Sequence, residues 1–538
     1  MRVLRIEAAL AASALLTACI LGEAQKIEGG SGAGDATSTT TDASASSGMG
    51  GDGLGGAGGM PPTCTSDMPG SVDWIVHFTD VMGDGGGGSL SVADQRITQL
   101  AAVPDGVLAL GQYTERMTVG TRVFPPANPG NAFLAWFAPD GTFATDAGDD
   151  KIVVYGGGPP LPRGLAADGD TIAVVGAFSG NVTVGSEALP GTAGDRDAFV
   201  VMQDGTGVVT ADAYAGIPNV PPPRDHFDDV VVTSNGTVIV SGYTDDGLSL
   251  PGGDIPADTT FIAAFGATEW VIPFATGYVA SDAIQLALGE GDRLFIATSI
   301  KVGQRSLLLT DFMVTSLSGV LVAEIDVETP LLVGYRLFQG DMPMGDQAFL
   351  RDLVVGPDGS LAIVGTFFGD LIFDFGMAQL VSATQAGQTD GFVAVLDPAD
   401  LGPTHWARFG SGEGGEETVW AASIDICGDV SILGTFAGPI DVPGGTLEPI
   451  GEKPVYVMKL ARQAGGMLVP EWNTVFDLNT HLPCAAASSQ IDRNCYRLVA
   501  TETGVYAAGA FAGGVGFSNG EQLDAGPGED AYLVKLSP

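Results

Sequence analysis

The 538-residue chain carries 22 Lys and Arg against 64 Asp and Glu, a formal net charge of −42, with 80 Gly, 32 Pro and only 16% charged residues. A field of that sign repels phosphate backbones, which excludes nucleic acid as a partner and favours cations, Ca²⁺ above all for its preference for carboxylate and carbonyl oxygens. So much Gly and Pro with so few charges suits short buried strands joined by turns rather than long helices rich in Glu and Lys, and the body reads as all-β.

The chain opens with Arg2 and Arg5, an apolar run from Ala8 to Leu16, and then Leu16, Thr17, Ala18 and Cys19. That order of basic, apolar and small residues is a secretory signal, and the apolar run is too short to span a bilayer. Its ending, Leu-Thr-Ala-Cys, resembles the lipobox of bacterial lipoproteins, from whose commonest pattern Glu7 and Thr17 depart slightly. The resemblance implies a signal peptide over 1–18, lipidation of Cys19 as the first residue of the mature protein, and a membrane anchor that does not cross the bilayer. Ile20 follows the Cys where an Asp would suggest inner-membrane retention, so the same resemblance points to the outer membrane or cell surface.

Residues 19–63 read as a tether, because the Gly/Ser/Thr-rich stretch from Gly29 to Pro62 has almost no side chain able to support a core. Its r.m.s. reach of about 30 Å holds a globular body clear of the lipid.

From 64 to 538 two patterns alternate. The first is an apolar strand, a tight turn, another apolar strand and a small residue before an aromatic one. It ends at Tyr113, Phe178, Tyr243, Phe367, Phe436 and Phe511, with a variant near Ile296. Asp-Gly and Asn-Gly between such strands are the strongest short-range hairpin signal. The second pattern is a strand such as NAFLAWF, DGFVAVLD or DAYLVKL, followed in most copies by a strand with an aromatic near each end. The aromatic pairs are Trp270 with Phe274, Tyr335 with Phe338, Trp406 with Phe409 and Trp472 with Phe476, while the first two copies keep only Tyr155 and Tyr214. The last copy, from Asp530, has no following strand, whereas Trp74 to Phe78 has the right spacing and no strand before it. The prediction is a seven-bladed β-propeller of four-stranded antiparallel blades, with the N-terminal strand closing the ring.

The units with VGTF, then Asp374-Phe375-Gly376, then DGFVAVLD resemble bacterial β-propeller repeats of the SBBP type, common on exported proteins and lipoproteins. The likeness extends over nearly everything after the tether, is clearest in the fifth and sixth units, and is worn in the fourth, where Ala297-Thr298-Ser299 replaces Gly-x-Phe. It implies fold and location more than activity.

In such a body the turns within hairpins lie on one face and the longer connections on the other, and the longer set is the place to seek a site. Three groups stand out there. Asp225, His226, Asp228 and Asp229 have the chemistry of metal ligands or an acid/base pair, or else cap strands in solvent. The acidic Gly-rich segments from Asp80 to Asp84 and from Glu413 to Glu417 suit Ca²⁺ without the ligand order of a known calcium loop. Arg96, Arg163, Arg351 and Arg493 each precede an innermost strand, where they form either an anion-binding ring at the channel mouth or ordinary pairs with acids such as Asp94, Asp352 and Asp492. Cys64, Cys427, Cys484 and Cys495 are an even set in an oxidising compartment with three pairings open. Cys484 with Cys495 is the first choice, and Cys64 with Cys427 the second.

No Ser/His/Asp arrangement, zinc-type His pair or haem-attachment motif is present, and no catalytic residue is assigned. Two readings follow: a monomeric, non-enzymatic scaffold or recognition module for protein, glycan or cell-envelope ligands, and a propeller hydrolase, lyase or quinoprotein-type dehydrogenase acting at the channel mouth.

Overall fold

The computed structural model describes residues 69–80 and 95–538, apart from position 115 and the segments 125–129, 143–144, 147–148, 151, 157–159, 185–186, 192–194, 205–206, 217–223, 277–282, 301–304, 308–318, 340–346, 375–377, 382–388, 411–416, 452–453 and 479–495. The chain divides after Gly59, and every described residue belongs to the unit from Met60 to Pro538. Cys19 and the tether, Cys64, Cys484, Cys495, Arg493 and the acidic stretches 81–84 and 413–416 lie outside the described residues.

The described residues form an all-β body with no α-helix, built from successive antiparallel four-stranded sheets, each laid down inner hairpin first. The first sheet takes Gln95–Val103, Gly106–Tyr113, Asn131–Phe137 and Ile152–Gly156, and the second Leu161–Asp168, Thr171–Phe178, Asp197–Asp204 and Gly207–Tyr214. The third takes His226–Val232, Val238–Thr244, Thr259–Phe265 and Trp270–Thr276, and the fourth Gln285–Gly289, Arg293–Ile300, Gly319–Asp326 and Leu331–Gln339. The fifth takes Gln347–Val355, Leu361–Phe368, Asp390–Leu396 and Pro403–Phe409, and the sixth Thr418–Ile424, Val430–Thr435, Val455–Arg462 and Leu468–Leu478. After Tyr496–Thr501, Gly504–Gly516 and Gln522–Leu536, the fourth strand of the last sheet comes from the other end of the sequence: Val72–Asp80 pairs with Gln522–Leu536, Trp74 opposite Lys535 and Phe78 opposite Ala531.

Local chemistry sets these elements. Gly236 and Gly359, in the Asn-Gly and Asp-Gly turns of inner hairpins, sit at φ of 80° and 79°, where residues bearing a Cβ are strained. The small residue before the aromatic has a different cause. Each of several inner strands carries a bulge, as between Ile97 and Gln99 and between Phe227 and Asp229. A Cβ on Gly111 or Gly242, opposite those bulges, would overlap the Arg96 or His226 carbonyl and the ring of Phe133 or Phe261.

The core lies in layers between neighbouring sheets. Leu134 and Tyr155 of the first sheet pack against Val174 and Phe178 of the second, and Val175 of the second against Phe227 and Phe261 of the third. In the same manner Phe78, Tyr506 and Leu533 of the last sheet pack against Ile97, Val107 and Phe133 of the first. Each such fully buried side chain contributes about 1.5 to 3 kcal/mol over an exposed one. The innermost strands touch in sequence, Gln95–Val103 to Leu161–Asp168, then His226–Val232, Gln285–Gly289, Gln347–Val355, Thr418–Ile424 and Tyr496–Thr501, and the last touches the first.

Outer strands are tied to the following sheet by the aromatics seen in the sequence. Trp74 Nε1 donates to Pro139 O at 2.9 Å and Trp270 Nε1 to Val327 O at 2.9 Å, each in the outer turn of the next sheet. Trp472 lies against Gly70 at the junction of the two chain ends, where Gly70 N donates to Ser537 O at 3.0 Å and Ser537 N to Ser71 O at 2.9 Å. In the fourth sheet Gly334 stands at the Trp position, opposite Glu324. Arg293, held by Glu324 at 2.7 and 2.8 Å, there donates to Pro398 O at 2.8 Å and does the work of the indole N–H.

Candidate functional site

The innermost strands line a cavity of about 360 Å³, referred to below as the axial belt, to which each of the sheets contributes residues. Aligning those strands shows why polar groups meet there. The position before the apolar run holds Gln99, Asp229, Gln285, Asp352 and Arg497, in a cavity lining that is otherwise apolar or small.

Four of these five reach the backbone of the next inner strand. Gln99 Nε2 donates to Arg163 O at 2.7 Å, and Asp229 Oδ2 accepts from Leu286 N at 2.8 Å. Asp352 Oδ2 accepts from Ala422 N at 3.0 Å, and Arg497 Nε donates to Thr98 O at 2.8 Å. Ser299 Oγ and Ser423 Oγ do the same for Leu350 N at 2.8 Å and Ala500 N at 2.9 Å. Both Asp side chains also cap the following N–H of their own strand, Val230 at 2.9 Å and Leu353 at 3.0 Å.

Burial dominates the titration of this belt. It pushes Asp229 up to about 7 against the pull of Leu286 and Val230 N–H groups, with Asp352 adding repulsion and Arg497 relief. Asp352 is raised by burial too, although Arg497 opposes the rise. Arg497 is lowered by burial, and the two carboxylates counter that.

Around one rim lie most of the residues singled out from sequence. The bulges expel Arg163, Asp228, Arg351 and Trp420 from strand pairing, which turns each toward a neighbouring sheet. Arg163 pairs with Asp228, and His226 Nε2 lies 3.3 Å from Asp228 Oδ1. Burial alone would raise Asp228, but His226 and Arg163 hold it well below the usual carboxylate range. His226 is lowered by burial and by Arg163. Arg351 stacks 4.8 Å over Trp420, whose Nε1 donates to Thr435 Oγ1 at 3.0 Å. Arg96 pairs with Glu529 at 2.8 Å. Arg96, Arg163 and Arg351 therefore each have a partner in place.

Asp225 and His226 are 0% and 4% exposed, buried where strand caps in solvent were the plain alternative. Asp229 does not join His226 and Asp228 but points into the axial belt. Cys427 is disulfide-bonded, with its partner outside the described residues. Among the described residues no group of three or more His, Cys, Asp or Glu side chains is arranged to hold a metal ion. Arg497 escaped the sequence reading, although its alignment with Asp229 and Asp352 before an apolar run was a usable signal.

No family model matches the chain, and no curated protein matches it by sequence. Solved structures of β-propeller type do resemble it distantly. A protein of unknown function from Dyadobacter fermentans is 8% identical, with 70% of this chain and 94% of that one covered, at a TM-score of 0.32. An ulvan lyase of a polysaccharide lyase family is 9% identical, covering 78% and 92%, at 0.37, and virginiamycin B lyase from Staphylococcus aureus is 7% identical, covering 71% and 99%, at 0.28. Likenesses this low carry neither activity nor substrate over to this chain.

Proposed function

We propose that the sheets close into a seven-bladed propeller, and that the mature protein is a lipid-anchored, non-enzymatic recognition scaffold on the outer membrane or cell surface, presenting its long-loop face to protein, glycan or cell-envelope ligands. One observation carries the scaffold reading: the charged groups that converge on the axis spend their hydrogen bonds on the backbone of the adjacent strand. A catalytic acid or base needs a free lone pair or proton aimed at a reacting atom. Asp229 and Asp352 instead each bind two backbone N–H groups, and Arg497 donates to a carbonyl. Support for ring closure comes from the circuit of inner-strand contacts and from the pairing of Val72–Asp80 with Gln522–Leu536. The anchor rests on Leu16 to Cys19.

The test is incubation of the purified protein with cell-envelope polysaccharides of the producing cell, reading both retention and chain length. Retention without shortening supports a recognition module. Shortening of the chain that is lost in a rim variant such as His226→Gln would overturn it in favour of an enzyme. A Cys19→Ser variant, expected to lose acyl mass and membrane association, tests the anchor separately.

A further inference from the structure

Beside the rim, where the second sheet meets the third, three carboxylates repel one another, and among the described residues no cation offsets them. Asp225 opens the third sheet, and its N–H donates to Arg196 O at 3.1 Å in the second. Asp246 lies in the turn after Val238–Thr244, and Asp195 precedes Asp197–Asp204. A methyl group placed on Gly216, at the end of the second sheet, would overlap both Asp225 Oδ2 and Asp246 Oδ1. The two oxygens therefore lie within one methyl group's reach of each other. Asp225 and Asp195 are 0% and 5% exposed, and among the described residues no hydrogen bond of good geometry reaches either oxygen of Asp225 or Asp246. The Thr244 hydroxyl and Gly216 N–H beside Asp225 offset only part of its burial.

Several of the charged groups nearby have partners of their own. Arg224 Nε holds Asp245 Oδ2 at 3.0 Å, and the Tyr243 hydroxyl lies between Asp245 Oδ1 at 2.6 Å and Asp258 Oδ1 at 2.9 Å, with one proton to donate to either. His226 and Arg163 hold Asp228. Arg196 is itself lowered, first by burial and then by Arg163 and Arg224. Asp197, at 1% exposed, adds a further buried carboxyl, and the adjoining segments 192–194 and 217–223 contain no basic residue. Two buried carboxylates this close cannot both stay ionised without a counter-charge.

We propose that Asp225 and Asp246 share one proton in the folded protein, and that losing it loosens the junction of the second and third sheets, a pH-sensitive latch beside the rim. Burial pushes Asp225 up to about 7, with Asp246 and Asp195 adding repulsion, and burial likewise raises Asp246 and Asp195. Because the closed junction holds a proton that the open one releases, opening becomes easier as pH rises from about 4 to about 7 and levels off above that.

Amide hydrogen exchange of the full mature chain, corrected for intrinsic rates, tests this at residues 195–197, 224–226 and 244–247. Protection there is expected to fall up to about tenfold per pH unit between pH 5 and 7. In Asp225→Asn, which mimics the protonated state, the fall disappears, and Asp246→Asn gives the same result if the first variant folds poorly. The infrared carbonyl band of a protonated carboxyl, followed in an Asp229→Asn background, should persist toward neutral pH and vanish with Asp225→Asn. An unchanged profile in both Asn variants would overturn the proposal. So would Ca²⁺ restoring protection at pH 8 in the wild type and not in Asp225→Asn, which would mean that a metal ion and not a proton neutralises the cluster.

Discussion

Asp229 Oδ2 accepts a hydrogen bond at 2.8 Å from the N–H of Leu286, the corresponding inner strand of the following sheet. The contact joins two sheets through a carboxylate that burial holds near 7, so the strength of this joint depends on pH. The folded value exceeds the ordinary carboxylate value of 3.8. Folded protein thus holds a proton that unfolded chain lacks between about 4 and 7, and the contribution of this group to stability is lost as pH rises through that window. Wild type should melt lower at pH 8 than at pH 5, and Asp229→Asn should flatten the difference. An equal slope in the variant would remove Asp229 as its source.

Arg497 stands between Asp229 and Asp352 electrostatically and relieves both. Replacing it with Met keeps much of the volume and leaves two buried carboxylates without a cation. Stability should drop by several kcal/mol at pH 8, within the range of about 3–5 kcal/mol for breaking a buried pair, and by less at pH 5, where the carboxyls can protonate. Denaturant melts at the two pH values decide it.

Lys459 is 1% exposed and lies 2.9 Å from Asp425, 3.4 Å from Asp429 and 3.4 Å from Glu471. Burial would lower the ammonium, but these carboxylates outweigh it and raise the Lys. Asp425 and Asp429 flank the turn carrying Cys427, so the ammonium also braces the disulfide-bearing hairpin. Lys459→Met should destabilise the protein at pH 8 and recover part of the loss at pH 5. A loss independent of pH would point to packing alone.

Trp270 tests the docking of outer strands. Its ring is 6% exposed and its Nε1 bonds Val327 O, so Trp270→Ala should cost about 3–5 kcal/mol, and Trp270→Phe less, leaving mainly the unpaired carbonyl. Thermal unfolding ranks the two. No loss in Trp270→Phe would show that the hydrogen bond contributes nothing, and equal losses in the two would show that the ring's packing adds nothing beyond it.

Phe78 tests the proposed ring closure. It stacks on Phe133 at 5.6 Å and is 0% exposed, although it belongs to a strand supplied from the other end of the sequence. Phe78→Ala should cost about 3–5 kcal/mol, as much as an interior residue of any sheet. A cost near zero would mean that the terminal strand is dispensable.

Much of this was legible in the sequence. Strand and turn positions follow from apolar runs broken by Asp-Gly and Asn-Gly, since those turns need a positive φ that few other residues supply. The orphan strand from Trp74 to Phe78 was assignable as a missing partner because aromatic spacing repeats along the chain. Trp74, Trp270 and Trp472 all stand opposite the same position of the neighbouring strand, which the 2.0-residue period of a strand preserves.

What composition and periodicity determined, then, is the class of element, its order and the all-β body, because those depend on contacts within a few residues. Whether Arg163 faces an open channel or Asp228, and whether Asp225 lies in solvent or buried against Asp246, only the tertiary structure decided. Those residues stand at bulges and strand starts, where one residue's shift sends a side chain to a different neighbour. The partners are 65 and 21 positions apart in the chain, beyond the reach of any local pattern. The axial belt shows both sides: its polar column was written in the repeats, but its charges acquired their titration and their bonds only when sheets distant in sequence enclosed them away from water.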